Sequence, residues 1–214
     1  MEFVLANEEI RVLGCLMEKE MSTPEYYPLS LNALINACNQ KSNRDPVTDY
    51  SEETVITALN GLRKKKLAME SSGSRVVRYA ETFSNEFRLI NSEDAIICLL
   101  LLRGPQTLGE IRGRSERLYS FSGLEEVRET ITGLEEKELI KRLPKQPGRK
   151  ESRYLQLLGG ESFETTDKDV IVLDANSSVT AENERIKELK DEIDTLREEL
   201  RNIRQEFEQF REQF

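Results

Sequence analysis

The chain of 214 residues contains no histidine and no tryptophan, and it has only three cysteines. Without histidine, Ser-His and Cys-His catalytic pairs and histidine-bearing metal sites are excluded. Cys15, Cys38 and Cys98 include no C-x-x-C pair and stand among apolar helix formers, so we interpret them as small core residues, with a reactive thiol as the alternative. No glycine-rich phosphate-binding motif is present. We therefore expect a protein that is not an enzyme and that uses no cofactor and no metal.

Long hydrophobic runs are also missing. The longest, residues 95–102, ends at Arg103 and is much shorter than the roughly 20 apolar residues that cross a membrane. The first residues lack the basic and apolar segments of a secretory signal. We expect a cytoplasmic protein with no membrane contact.

Negative charge is concentrated at one end of the sequence. The net charge is -9, of which residues 1–91 carry -2, residues 92–160 carry +1 and residues 161–214 carry -8. Because nearly all of the acidity belongs to the last segment, the rest of the chain is close to neutral. A near-neutral body is able to carry a local basic surface, although it does not require one.

An internal repeat organises the first 160 residues. Residues 53–67 align with residues 125–139, 72 positions later. The alignment matches four apolar positions and a glycine: Val55, Leu59, Gly61, Leu62 and Leu67 with Val127, Ile131, Gly133, Leu134 and Leu139. Apolar segments 10–17 and 95–102 lie upstream of each copy, and Arg78-Tyr79 and Arg153-Tyr154 lie downstream. This similarity predicts two copies of one structural unit.

Each copy has the pattern of three helices followed by a two-stranded ribbon. Helix starts are predicted at Asn7, Ser30 and Ser51 in the first copy, and at the capping boxes Thr107/Glu110 and Ser122/Glu125 in the second. The ribbons are predicted within residues 67–79 and 139–158. Because this layout is typical of winged helices, the predicted fold is mainly α (α+β), with tandem winged helix-turn-helix domains followed by a C-terminal coiled-coil helix.

The predicted domains are a first winged helix over 1–91, a second over 92–160, an acidic linker over 161–180 and a coiled-coil helix over 181–214. In the last segment, apolar residues alternate spacings of three and four: Ile186, Leu189, Ile193, Leu196, Leu200, Ile203, Phe207 and Phe210. Glutamates fall at the g positions of this heptad pattern and arginines at the e positions, which are complementary in a parallel pair. We predict a homodimer through a parallel coiled coil; the alternative is a single helix folded against its own body.

Three segments resemble a known family. Residues 29–47 are similar to the signature of the YceH family of bacterial proteins, and residues 108–115 and 147–154 resemble its later signatures. The resemblance spans about residues 8–158 and implies a tandem winged-helix fold in a bacterial cytoplasmic protein, without implying a biochemical activity. Family members often have a histidine shortly after each ribbon tyrosine, and Glu81 and Gln156 stand near those places here.

Winged helices bind DNA with the third helix in the major groove and the wing against the backbone or minor groove. We predict contacts from the third helix, the preceding polar insert and the wing of the first copy: Ser51, Thr54, Thr57, Gln40, Lys41, Asn43, Arg44 and Arg75. In the second copy, cations before the third helix and around the wing are candidates: Arg112, Arg114, Arg117, Lys145, Arg149 and Lys150. The alternative for the insert is that its polar side chains cap helices and hydrogen-bond within the long turn instead of contacting DNA.

Two functions follow from these patterns. The first is a dimeric transcriptional regulator that binds double-stranded DNA, which the basic loops and the predicted fold favour. The second is a non-enzymatic interaction or scaffold module whose winged helices bind protein partners. Acidic residues on the third helices favour this second function: Glu52, Glu53, Glu125, Glu126 and Glu129. Small-molecule sensing between the two copies is compatible with this layout, but the sequence alone does not locate a pocket.

Overall fold

The computed structural model describes residues 3–71, 76–145 and 151–159. The predicted α+β class is confirmed, since helices alternate with small antiparallel sheets. The first half contains α1 (Asn7–Ser22), a 3-10 turn (Pro24–Tyr26), β1 (Leu29–Ser30), α2 (Leu31–Cys38), α3 (Glu52–Lys64), β2 (Ala68–Ser71), β3 (Arg78–Glu81) and the short α4 (Phe83–Glu86). The second half contains α5 (Asn91–Arg103), α6 (Leu108–Ser115), α7 (Leu124–Glu136), β4 (Ile140–Arg142) and β5 (Tyr154–Gln156). The predicted linker and coiled coil lie outside the described residues, as do all eight predicted dimerisation residues.

The two halves share a strand arrangement. In the first sheet the order is β1-β3-β2, and Tyr79 on β3 lies between Leu29 on β1 and Glu70 on β2. In the second half β4 pairs with β5, and Gln106 forms a single bridge to Tyr154 on the other side of β5. The repeat detected in the sequence therefore corresponds to a repeat of topology.

The arginine before each ribbon tyrosine makes the same contact in both halves. Arg78 donates to the carbonyl oxygen of Pro28 at 2.8 Å, and Arg153 donates to that of Pro105 at 2.7 Å. Each contact joins the second ribbon strand to the segment before the second helix. The Arg-Tyr pairs that match in the sequence thus have a shared structural role.

Three of the five predicted helix caps are confirmed. Ser30 accepts from the Ala33 N–H at 3.4 Å, and Ser51 accepts from the Thr54 N–H at 3.2 Å. Thr107 and Glu110 form the predicted capping box, with bonds of 3.2 and 2.9 Å. These side chains satisfy N–H groups that have no partner inside the helix.

The predicted caps at Asn7 and Ser122 are wrong. The N-cap of α1 is Ala6, whose N–H donates to the Glu9 carboxylate at 2.8 Å. The N-cap of α7 is Gly123, and the N–H and hydroxyl of Ser122 both donate to Glu126. In both helices a glutamate in the first turn accepts from the backbone N–H of a residue just before the helix, and the predicted side chain does not act as the cap.

The core is centred on the first helix of each half. Gly14 on α1 lies directly against Leu101 and Leu102 on α5, and the Cys98 thiol donates to the Gly14 carbonyl at 3.5 Å. A side chain at Gly14 would hold the two helices apart. All three cysteines are fully buried, so their interpretation as core residues is confirmed.

Both third helices end in the same way. Lys66 after α3 and Glu138 after α7 have positive φ angles of 60° and 55°. The next N–H, that of Leu67 or Leu139, donates back to the carbonyl of Leu62 at 2.9 Å or Leu134 at 3.0 Å. This is the Schellman motif, which reverses the chain into the ribbon and satisfies a terminal carbonyl.

A buried ion pair also occurs twice. Lys65 contacts Glu9 at 2.5 Å, and Lys137 contacts Glu93 at 2.6 Å; in both pairs the glutamate side chain is nearly enclosed. Gly61 and Gly133, the glycines that match in the repeat, lie beside these carboxylates. In both halves a glutamate from the first helix therefore lies against the matched glycine, overlapping the position of a side chain at Gly61 and in tight contact with one at Gly133.

Candidate functional site

The polar insert between α2 and α3, residues 39–51, folds against the second half of the protein. The Asp45 N–H donates to the Leu102 carbonyl at 2.9 Å, and Arg103 donates to the Asn43 side-chain oxygen. Within the insert, the amide of Asn39 bonds twice to the backbone of Tyr50, at 2.9 and 2.7 Å. The alternative interpretation, that polar residues of the insert serve structure, therefore holds for Asn39 and Asn43.

The predicted DNA contact by Arg44 is wrong, because this side chain is inside the protein. Only 6% of Arg44 is exposed. Its guanidinium donates to both carboxylate oxygens of Glu18, at 3.0 and 2.6 Å, and to the carbonyl of Ala37 at 3.1 Å. Burial acts to raise the pKa of Glu18, but the hydrogen bonds and charge of Arg44 hold it below its usual value. Arg44 anchors the insert to α1 and has no free donor for a phosphate.

A cleft of about 470 Å³ lies between the insert and the second half. Five cations line it: Lys19, Lys41, Arg103, Arg114 and Arg117. They come from the end of α1, the insert, the end of α5 and the region around the end of α6. The remaining lining residues are polar or leucine: Glu18, Ser22, Gln40, Ser42, Asn43, Leu99, Leu102 and Leu118. We call this site the cationic cleft.

The cationic cleft brings together residues that the sequence analysis assigned to separate copies. Gln40, Lys41 and Asn43 come from the first half, whereas Arg114 and Arg117 come from the second. Sequence reasoning did not identify Lys19 and Arg103 as site residues. A cation in the last turn of a helix usually complements the helix dipole, so neither residue stood out.

Three of the five cleft cations, Lys41, Arg103 and Arg117, make no ion pair within the described ranges, whereas Lys19 and Arg114 each contact a glutamate. Among the described lining residues Glu18 is the only carboxylate, and Arg44 and Lys19 already contact it at 2.6 and 3.3 Å. Lys41 and Arg117 make no ion pair with any residue in the described ranges. Burial, followed by the nearby charges of Arg114 and Arg44, lowers the pKa of Arg103. Such an arrangement attracts anions.

Arg114 belongs partly to the structure of the second half. Its guanidinium lies 3.5 Å from Glu110 and also donates to the side chain of Gln106. Glu110 is shared with Arg153, which contacts it at 2.9 Å. Arg117 is the freer of the two arginines and is exposed at the mouth of the cleft.

The other predicted DNA-contact residues lie elsewhere. Arg112 on α6 and Lys145 after β4 are exposed but do not line the cleft. Ser51 caps α3 and its hydroxyl lies 2.9 Å from that of Thr54, whereas Thr57 is exposed on the same helix. Arg75, Arg149 and Lys150 lie outside the described residues.

The third helices present acidic surfaces. Glu52 and Glu53 are exposed at the start of α3. On α7 the exposed acids are Glu125, Glu129 and Glu136, and Arg128 is the only cation of that helix, 3.7 Å from Glu125. Phosphate groups are therefore repelled by the helices that a winged helix would place in the major groove.

A second cavity, of about 390 Å³, is acidic. Glu20, Glu81 and Asp94 line it. Burial, followed by the neighbouring Glu81, raises the pKa of Glu20 to about 7, and burial raises that of Asp94 to about 6. The Asp94 Oδ1 atom is buried without a hydrogen-bond partner. Within the described ranges, no cluster of histidine, cysteine, aspartate or glutamate has the arrangement of a metal site.

The residues that stand near the family histidines support turns. Glu81 accepts from the Ser84 N–H at 2.9 Å, and Gln156 accepts from the Leu158 N–H at 2.6 Å. Both side chains therefore hold the segment that leaves the ribbon. Among the residues that the structure describes, no helix is both long and apolar enough to cross a membrane.

Comparison with known proteins shows the family to which this chain belongs. A family described as "Protein of unknown function, DUF480" matches residues 5–149. A UPF0502 protein of Solibacter usitatus is 49% identical over 195 residues, covering 89% of this chain and 95% of the relative. UPF0502 proteins of Geobacter sulfurreducens and Citrifermentans bemidjiense are 50% and 56% identical, over 89% and 75% of this chain and 89% and 76% of the relatives. None of these names states an activity.

Proposed function

Because this chain belongs to the DUF480 family, whose description assigns no activity, we propose a function from its own residues: it binds double-stranded DNA through two winged helices. Helix, extended segment, helix, helix and ribbon follow one another in both halves, which is the order of a winged helix. We take the resemblance to YceH proteins as a resemblance within this same family.

The convergence of cations from the two halves carries the proposal. Lys41, Arg114 and Arg117 are exposed along one cleft, and Arg112 is exposed on the same helix as Arg114. Phosphate contacts supply most of the sequence-independent affinity of proteins for DNA. We assign the phosphate contacts to these side chains and to the wing cation Lys145.

The acidic third helices limit how the bases are read. Glu52 and Glu53 oppose close approach of phosphates, whereas Ser51 and Thr57 offer hydroxyl groups and a glutamate is able to accept from the amino group of cytosine. Affinity therefore comes from the cleft side of the protein. In a dimer joined by the parallel coiled coil, two such surfaces would meet two half-sites, as a transcriptional regulator requires.

A second candidate function rests on α7. Its exposed face carries Glu125, Glu129 and Glu136, and Leu124 at its start is 44% exposed. An acidic helix with an accessible leucine suits a basic, partly apolar protein surface better than it suits DNA. In this alternative the protein is a non-enzymatic interaction module.

The test is binding of the full chain to random duplex fragments between about 50 and 200 mM salt. With about five phosphate contacts, one for each assigned side chain, affinity should fall roughly 500-fold over that range. Arg117→Glu should weaken binding and make the salt dependence shallower. The matched control is Arg88→Glu, which reverses an exposed cation between α4 and α5 that lies neither on a third helix nor in the cleft lining.

Two outcomes would contradict the proposal. Absence of binding at the lowest salt would exclude the DNA function and leave the acidic face of α7 as the candidate interface. Equal losses from Arg117→Glu and Arg88→Glu would show that the loss follows the net charge of the protein and does not come from the cationic cleft.

A further inference from the structure

The cationic cleft contains charge that a duplex lying across its mouth does not use. Lys41 and Arg117 are exposed at the mouth, but the Lys19 side chain is only 20% exposed and Arg103 is partly buried. DNA phosphates on a convex backbone reach the exposed pair more readily than the recessed pair. An anion small enough to enter the cleft would reach Arg103, which makes no ion pair among the described residues, and Lys19, whose one carboxylate contact there is Glu18 at 3.3 Å.

The size and lining of the cleft define that anion. Its volume of about 470 Å³ falls within the ~300–1,000 Å³ that is usual for small-molecule sites. Leu99, Leu102 and Leu118 provide a limited apolar surface among the cations. No aromatic residue is found in the described lining, so the cleft has no platform on which a base would stack.

We propose that the cationic cleft binds small molecules through a diphosphate group. Arginine presents a planar fork that matches phosphate oxygens, and lysine adds a mobile point charge. A diphosphate carries enough negative charge to meet cations on both walls, whereas a single phosphate or carboxylate neutralises only part of them. Without a stacking surface, affinity follows the charge of the ligand and is insensitive to the base.

The ligand would join the two halves of the protein. Lys19 and Lys41 belong to the first half, and Arg103, Arg114 and Arg117 belong to the second. An anion held between them favours the arrangement of the halves in which all five cations face it. This binding does not depend on the DNA function, so it is tested without DNA.

The experiment is calorimetric titration of the full chain, without divalent metal and at about 50 mM salt, with five probes: pyrophosphate, ADP, GDP, inorganic phosphate and AMP. We expect similar affinities for pyrophosphate, ADP and GDP. Phosphate and AMP should bind at least about tenfold more weakly. No heat with millimolar pyrophosphate would overturn the proposal. A strong preference for ADP over both GDP and pyrophosphate would do the same, because it would require recognition of the base.

Two variants and one control locate the site. Arg103→Gln and Arg117→Gln should each weaken pyrophosphate binding about tenfold, whereas Arg128→Gln on α7 should leave it unchanged. Arg103 also bonds to Asn43, so its loss affects the insert. Arg117 makes no ion pair among the described residues, and an unchanged affinity in Arg117→Gln would place the ligand outside the cleft and refute the proposal.

Discussion

Alanine substitution at the two matched glycines should have different effects on stability, with a clear loss at Gly61 and little change at Gly133. Within a helix, alanine is normally more favourable than glycine by about 1 kcal/mol. A Cβ at Gly133 would lie 3.3 Å from Glu93 Oε1, which is tight but requires only a small adjustment. A Cβ at Gly61 would overlap Glu9 Oε1 outright. The repeat is therefore symmetric in sequence but not in the space around its glycine.

The cost at Gly61 comes from displacing Glu9. This residue is 6% exposed, its carboxylate accepts from the Ala6 N–H at 2.8 Å, and it contacts Lys65 at 2.5 Å. Loss of the cap costs about 1 kcal/mol. Loss of the ion pair costs about 2–3 kcal/mol, somewhat below the value for a fully buried pair because Lys65 is 27% exposed. After the helix gain of about 1 kcal/mol, Gly61→Ala should destabilise by about 2–3 kcal/mol, and Gly133→Ala should stay within about 1 kcal/mol of the natural protein.

Urea unfolding followed by circular dichroism measures both values. The control is the same substitution in a Glu9→Ala background, where nothing occupies the space and Gly61→Ala should become neutral or stabilising. If Gly61→Ala alone were as stable as the natural protein, the assignment of the glycine to the Glu9 carboxylate would be refuted.

Three further predictions concern other parts of the chain. Arg44→Ala should destabilise by about 3–5 kcal/mol in urea because it leaves the Glu18 carboxylate unpaired, and Arg44→Lys should recover only part of this; no loss in Arg44→Ala would contradict the anchoring role. Folding raises the pKa of Asp94 from 3.8 to about 6, so the folded protein holds the Asp94 proton more tightly than the unfolded chain does. The stability that this proton provides is fully present below pH 3.8 and is lost as the pH rises through 6. Asp94→Asn should therefore raise the urea midpoint at pH 8 more than at pH 5, and a lower midpoint at pH 8 would contradict this. Leu196→Asn with Leu200→Asn should convert the expected dimer to monomers in light scattering, and an unchanged mass would end the dimer prediction.

The helices and ribbons were predictable from sequence because the spacing of apolar residues is a local property. Ser30, Ser51 and Thr107 were identified as caps for the same reason. The starts at Asn7 and Ser122 were misplaced because Glu9 and Glu126 supply the cap from within the helix. A cap is a competition among neighbouring polar groups, and the sequence does not show which of them wins.

The candidate site was predictable only in pieces. Lys41 and Arg117 were identified as cations on loops, but their convergence depends on the packing of α1 against α5, which positions the insert beside the second half. Arg44 was misassigned because its partner, Glu18, lies on α1, 26 residues earlier in the sequence. Long-range pairs of this kind leave no local pattern.

The differences between the halves separate folding from function. Features at matching positions stabilise the fold that both halves share. Examples are the ion pairs of Lys65 with Glu9 and of Lys137 with Glu93. The cleft instead combines residues that do not match: the insert has no counterpart of equal length in the second half, and Arg117 belongs to the shorter connection there. Like charges facing one another do not stabilise a fold.

The two exposed cleft cations that make no ion pair among the described residues, Lys41 and Arg117, should therefore be dispensable for stability. Lys41→Gln and Arg117→Gln should leave the free energy of unfolding within about 0.5 kcal/mol of the natural protein, or raise it by relieving repulsion. Urea titration of both variants, with the buried Arg44→Ala as the comparison that must lose stability, measures this directly. If the two surface variants unfolded as easily as Arg44→Ala, the cations would be structural. Their presence in the cleft would then no longer support binding of either DNA phosphates or a diphosphate.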